Sequence, residues 1–375
     1  MIEFKPVRLE DKQIIERHTM PSGILNCDLA FANMYCWQAM YHSAWAVIDG
    51  FLVIRFHIGG GEKIGYMQPV GEGDFAGIIP ALREDAHAHG QRLRLIGLTD
   101  EGREMIRNMH AGLFAFESDR ALEDYVYNAE DLRNLTGRRY QPKRNHINRF
   151  MSEYPDFRYE NLTRDRFAEC MQLEREWRRA HEGHTSELCA EQRAMQRAFD
   201  HFEELEMLGG CIYVGDKLVA FTFGSAVNEH TFDTHVEKAD TDYDGAFTII
   251  NKLFAEHLPE RFTLINREED LGIDGLRQSK LSYHPAVIQH KFTAIHLHPD
   301  EIACKELWTA AFGDDAALLI PSEEWLRGFY APYGFSGAIP VTFASPDGFD
   351  FGTGDPSKDL AMVWRRDASA PMPET

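Results

Sequence analysis

Short β-patterned runs at residues 46–48, 51–58 and 63–68 open the chain's first regular stretch, after a strand-then-helix start over residues 4–18. The triple glycine Gly59-Gly60-Gly61 supplies turn positions between the last two runs, which predicts a hairpin. A helical period over 74–89 stops at Gly90, a good C-terminal cap; a strand at 93–98 and a helix at 101–108 follow. The same order restarts near Gly137. It gives a strand at 157–161, then a helix over 164–180 with Phe167, Cys170, Met171 and Trp177 on one face. Strands at 211–214 and 217–224 flank the turn Gly215-Asp216, and 231–238 is the next strand. The helix expected at 246–258 carries Phe247, Ile250, Leu253, Phe254 and His257 on its apolar stripe, ahead of a strand at 262–267. Beyond 300 the pattern predicts helices at 304–313 and 322–333 around a strand at 317–320, then an Ala-, Pro- and Ser-rich tail expected to be disordered. Strands that form a hairpin and then alternate with helices, twice over, predict an α+β protein of two similar halves.

Composition narrows the class. A chain of 375 residues with 44% hydrophobic and 26% charged residues is globular and long enough for two or three domains. No run approaches the roughly 18 apolar residues of a membrane-spanning helix, and the start lacks a signal-peptide layout, so a cytoplasmic location is expected. Six scattered cysteines without Cys-x-x-Cys spacing read as reduced packing residues. The 60 acids outnumber 39 Lys and Arg, for a net charge of −21. Such a field repels nucleic acid and anionic membranes unless basic residues gather in one place.

Four blocks are distinctive: Gly137-Arg-Arg-Tyr-Gln-Pro-Lys-Arg-Asn-His-Ile-Asn-Arg-Phe150, Phe232-Asp-Thr-His-Val-Glu-Lys238, Asp244-Gly-Ala-Phe-Thr-Ile-Ile-Asn251, and the run from Asn266-Arg-Glu-Glu-Asp270 to Tyr283-His-Pro285. In this order they resemble the phosphatidylglycerol lysyltransferase C-terminal-domain-like family, over roughly residues 1–295. The resemblance implies two tandem GNAT-like (acyl-CoA N-acyltransferase) mixed-sheet domains, at 1–136 and 137–295. It also implies transfer of an aminoacyl group from aminoacyl-tRNA to an amine or hydroxyl acceptor on a lipid, peptide or small molecule. Residues 296–367 resemble a truncated third GNAT-like module, through Cys304-Lys-Glu-Leu-Trp308 and Glu323-Glu-Trp-Leu-Arg-Gly-Phe-Tyr330, with 368–375 as the tail.

The chemistry expected on this frame is as follows. Alternation sets Asp233, His235 and Glu237 on one face of the 231–238 strand, and His235 or Glu237 is placed to act as general base. Asn266, Arg267, Glu268, Glu269 and Asp270 follow a strand end, where ligand clefts form, and suit a cationic group such as an α-amine. Glu268 joins the catalytic set, Arg277 and Lys280 suit a carboxylate or phosphate, and Tyr283 is a candidate general acid. The plain alternative is an internal salt network of Glu268 and Glu269 with Arg277 and Lys280. Arg138, Arg139, Lys143 and Arg144, with His146 and Arg149, form the concentrated basic patch, suited to tRNA or phosphate; the alternative is a solvated linker helix paired with the abundant acids. Gly245 opens the helix where a GNAT enzyme grips pyrophosphate, but Asp240, Asp242 and Asp244 surround it. Acetyl-CoA is therefore a weaker donor than aminoacyl-tRNA. Histidine pairs such as His87 and His89 lack metal-site companions, and no metal is expected. The competing functions are a catalytically silent small-molecule-binding protein on the same fold and an acetyl-CoA-dependent N-acetyltransferase.

Overall fold

The computed structural model describes residues 2–180 and 186–299, and beyond them the backbone of three strands. The chain divides into the units Met1–His296 and Leu297–Thr375. In the first unit the strands are β1 (Lys5–Pro6), β2 (Ala44–Ile48), β3 (Phe51–Ile58), β4 (Lys63–Met67), β5 (Val70–Gly71), β6 (Arg94–Leu98), β7 (Phe114–Ser118) and β8 (Asp124–Asn128). They continue as β9 (Arg158–Asn161), β10 (Leu208–Val214), β11 (Lys217–Ala226), β12 (Thr231–Ala239), β13 (Leu264–Asn266), β14 (Val287–Gln289) and β15 (Phe292–His296). One sheet runs β1-β2-β3-β4-β6-β15-β7, with β5 on β3; the other runs β14-β8-β13-β12-β11-β10-β9. Each is mostly antiparallel with one parallel pair, β4 with β6 and β12 with β13. The fold is α+β with two mixed sheets.

The connectivity contains an exchange. β8 precedes residue 137 yet lies in the second sheet between β13 and β14, and β15 comes back to fill the first sheet between β6 and β7. Each sheet therefore takes a strand from the other's stretch of sequence.

Three cores hold the unit together. A shared one joins Phe31, Met34, Leu52 and Ile54 to Phe199, Phe202, Phe221 and Phe223. Each fully buried side chain of this size contributes about 1.5–3 kcal/mol. β11 reads as a continuous apolar run because both its faces are covered, Phe221 and Phe223 in the shared core and Val219 and Ala220 in an outer one. The helices Gln141–Glu153 and Ala246–His257 cover the second sheet with Ile147, Phe150, Ile249, Ile250 and Phe254. The helices Phe75–Ala88 and Asp100–Met109 cover the first with Ile79, Leu82 and Ile106, their starts capped by Asp74 and Thr99. The expected stripe on Ala246–His257 needs correction: Phe247 and His257 are exposed, while Thr248 and Asn251 are buried.

In the second unit β16 (Ala316–Leu319), β17 (Phe335–Pro340) and β18 (Leu360–Arg365) form an antiparallel sheet ordered β16-β18-β17. The helices expected at 304–313 and 322–333 and the tail lie outside the described residues. Among the described residues no helix is long and apolar enough to cross a membrane.

One irregularity aims the site. The β11–β12 register pairs Phe223 with Val236 and Gly224 with Thr234, so His235 is an extra, bulged residue. A Cβ on Gly224 would lie 1.8 Å from the Asp233 carbonyl oxygen. Gly224→Ala is expected to destabilise the protein by about 1–3 kcal/mol, read as a lower denaturant midpoint. An unchanged midpoint would contradict the close approach.

Candidate active site

β12 and β13 pair in parallel only from Thr231 to Asp233, against Leu264 to Asn266. At that point the pairing with β12 ends, while Arg267 and Glu268 stay hydrogen-bonded to the Tyr125 backbone of β8. Asn266 anchors the turn: its amide donates to the Leu25 carbonyl and to Asp124 (2.7 and 2.9 Å), while its side-chain oxygen accepts the Glu268 N–H at 2.7 Å. Glu268 is held in the left-handed region at φ 54. That conformation costs a non-glycine residue about 1–3 kcal/mol and persists only where its surroundings impose it.

Two poles of opposite charge flank this turn. The anionic pole gathers Asp28, Asp124, Asp233, Glu268 and Glu269 around Cys27, Asn33 and His235. Lys291, on the segment between β14 and β15, reaches Asp124 at 2.7 Å, Glu269 at 2.6 Å, Asp28 at 3.2 Å and the Cys27 sulfur at 3.4 Å. Asn33 donates to Asp233 and to Glu268, both at 3.2 Å. His235 Nε2 meets Ser225 Oγ at 2.8 Å, and Nδ1 lies 3.2 Å from Asp233 and 3.3 Å from Glu268. The second carboxylate oxygen of Asp233 is buried without a partner. Asp28 and Glu268 remain open to solvent, with side chains 50% and 27% exposed, so the pole can be reached.

The charges set the proton affinities. Burial and the neighbouring Asp233 charge raise Glu268 to about 7. Burial, together with Glu269 and Asp28 and against Lys291, raises Asp124 to about 7. Burial alone would lower His235, but Asp233 and Glu268 outweigh it and hold the imidazole at about 9, protonated at neutral pH. A carboxylate poised near 7 can take a proton and return it; an imidazolium at about 9 supplies positive charge and hydrogen bonds instead. Two donor sets, Cys27 with Asp124 and Glu269 and Cys27 with Asp233 and Glu268, come within the spacing of a metal site. Lys291 already fills the first and the Asn33 amide bridges the second. Burial pushes the Cys27 thiol well up, against thiolate ligation.

The cationic pole lies toward Tyr283. Glu237 does not join His235: it accepts from Arg267 at 2.8 Å and from Asn251 at 3.2 Å. The general-base expectation for this pair thus needs revision, because the bulge sends His235 toward Asp233 and leaves Glu237 in an ion pair. The expected network of Glu268 and Glu269 with Arg277 and Lys280 is also replaced. Arg277 grips Asp270 with two bonds (2.7 and 2.9 Å), and Lys280 donates to the backbone carbonyls of Arg267 and Glu269. Tyr283 is buried and burial holds its hydroxyl at about 12, so it keeps its proton at neutral pH.

The basic patch does not share one face. Arg139 pairs with Asp131 at 3.0 Å, Arg144 donates to the carbonyls of Leu135 and Gly137, and Arg149 pairs with Asp244 at 2.7 Å. Arg138 is exposed, and Lys143 lies 3.8 Å from the centre of the Tyr283 ring. Tyr140 is fully buried and donates to the Tyr283 carbonyl. Gly245 (φ 93) caps its helix against the helix Gln141–Glu153, where a Cβ would stand 3.0 Å from the His146 carbonyl oxygen. Asn33, Asp124 and Lys291 carried no local signal in the sequence.

Two mixed sheets, each with one parallel pair, define a protein of the tandem GNAT-like fold. The profile of the family described as phosphatidylglycerol lysyltransferase, C-terminal, matches residues 22–295, and the chain belongs to that family. It is similar to a conserved protein of unknown function from Bacteroides thetaiotaomicron, at 44% identity and a TM-score of 0.77 over 79% of this chain and 100% of that one. L-PGS from Bacillus licheniformis shares the fold, at a TM-score of 0.55 and 14% identity over 80% and 96% of the two chains. An uncharacterized protein of Mycoplasmoides gallisepticum is 25% identical over 181 residues, 45% of this chain and 54% of that protein. The chain thus spans about half the length of that curated relative.

Removing the Lys291 ammonium leaves Asp124 and Glu269 buried without their cation. Lys291→Met is expected to cost about 3–5 kcal/mol of stability at neutral pH, measured by denaturant unfolding. A loss under about 1 kcal/mol, the range of an exposed pair, would contradict the linchpin role.

Proposed function

We propose that this chain is an aminoacyltransferase whose anionic pole holds the α-ammonium of an aminoacyl ester while Glu268 deprotonates the acceptor. The observation that carries this reading is the surplus of carboxylates around Glu268: five acids, of which Asp124 and Asp233 are fully buried, face one lysine and one imidazolium, and Asp233 keeps an unpartnered oxygen. A buried excess of negative charge is stabilised by a bound cation. In the step itself the acceptor oxygen or nitrogen attacks the ester carbonyl as Glu268 takes its proton. The new acyl bond forms, the ester C–O bond breaks, and the proton passes to the departing ribose hydroxyl. On this reading aminoacyl-tRNA is the donor, and a lipid or other amine or hydroxyl compound is the acceptor.

One feature favours a second reading, small-molecule binding without turnover. The Arg267–Glu237 pair spans from the end of β13 to β12, inside the opening where the strands part. Acetyl-CoA transfer has less support. Asp240 and Asp244 of the loop before the Ala246–His257 helix are paired with Lys217 and Arg149, and a pyrophosphate would meet those carboxylates.

The test is transfer of labelled amino acid from a mixed aminoacyl-tRNA pool to phosphatidylglycerol vesicles and to soluble amines. Wild-type rates are expected to rise with pH through about 7 as Glu268 loses its proton. Glu268→Gln is expected to remove that limb and lower turnover by about 100-fold or more. Wild-type turnover in Glu268→Gln would refute the base assignment. Binding of free amino acids with no transfer to any acceptor would favour the second reading.

A further inference from the structure

The groups between the helix Gln141–Glu153 and the 266–270 turn have the opposite imbalance to the acid cluster. Arg267 spends one terminal nitrogen on Glu237; the other is buried and has no hydrogen-bond partner. Its guanidinium carbon lies 4.9 Å from the centre of the Tyr283 ring, and the Lys143 nitrogen lies 3.8 Å from the same centre. Among the described residues Lys143 has no ion-pair partner. Lys280, which is buried, directs its ammonium at the carbonyls of Arg267 and Glu269. Two cations thus share one carboxylate, Glu237, in a chain whose net charge is −21.

A buried N–H without an acceptor costs about 1–3 kcal/mol and calls for an explanation such as a bound ion. Like charges this close oppose one another as well. Burial, and then the Arg267 charge, lower Lys143 to about 8. A bound anion would relieve both penalties.

We propose that Arg267 and Lys143, beside the Tyr283 ring, form an oxyanion subsite that takes a phosphate group. The planar guanidinium offers directed N–H donors and the lysine a mobile point charge, a pairing suited to phosphate oxygens. Arg139, Arg144 and Arg149 are already committed to Asp131, backbone carbonyls and Asp244, so Lys143 alone of that stretch is turned to this use. The subsite stands on its own geometry and does not require aminoacyl transfer. If transfer does occur, the two poles would hold the ammonium and a phosphate of one ligand on either side of the 266–270 turn.

The experiment is calorimetric titration of the full chain with inorganic phosphate and with glycerol 3-phosphate, at low ionic strength and pH 7, with matched chloride as control. Saturable binding is expected, weakened at least tenfold in Lys143→Gln, retained in Lys143→Arg and unchanged in Arg139→Gln. Tighter binding of glycerol 3-phosphate would assign the subsite to an esterified phosphate, and equal binding to the phosphate group itself; either upholds the proposal. No binding beyond the chloride control, or equal binding by wild type and Lys143→Gln, would overturn it. Transfer measured separately on Lys143→Gln distinguishes failure of this subsite from failure of the aminoacyl reading.

Discussion

The ion cluster around Lys291 is the constraint on which the first unit depends. The chain crosses between its two sheets twice, entering the second as β8 and leaving it ahead of β15. Lys291 stands on the returning crossing and Asp124 on the outgoing one, 2.7 Å apart. The same ammonium neutralises Glu269 on the 266–270 turn and touches Cys27 and Asp28 of the N-terminal stretch. Four segments distant in sequence are therefore fixed at one point. Buried ion pairs are poor sources of net stability, but losing one partner is costly, so such a cluster enforces one arrangement over others.

That arrangement sets the chemistry. With Lys291 committed to Asp124 and Glu269, it does not quench Asp233 or Glu268, and those two carboxylates are left to His235, Asn33 and any ligand. The β11–β12 bulge rotates His235 into them, and the strained turn at Glu268 brings the carboxylate to an accessible position. On the other side of the turn Arg267 and Lys143 accumulate positive charge against the one carboxylate of Glu237. A few residues of backbone thus separate two fields of opposite sign, which suits a ligand that is itself cationic at one end and anionic at the other.

Much of the fold was legible because its signals are local. The glycine turn between β3 and β4, the capped helices and the alternating strands each follow from a few neighbouring residues. The strand exchange was not legible, since β8 and β15 look like any short apolar run and their partners are set by long-range pairing. The site divides the same way. The run from Asn266 to Asp270 could be found because charged residues crowd after a strand. The partnerships were misjudged because strict alternation puts His235 and Glu237 together, and one bulged residue separates them. Lone residues such as Asn33, Asp124 and Lys291 gain their roles only through tertiary contact, and a basic run like Arg138 to Arg149 turns its side chains in several directions on a helix.

The central claim is that the anionic pole holds an ammonium group beside Glu268. The most direct measurement is a crystal structure with a hydrolysis-resistant, amide-linked aminoacyl-adenosine. The account predicts the α-ammonium within about 3 Å of the unpartnered Asp233 oxygen or of Glu268, with the acyl carbon facing the Glu268 carboxylate. An ammonium bound elsewhere, with the acid cluster closed on itself and unchanged, would contradict it.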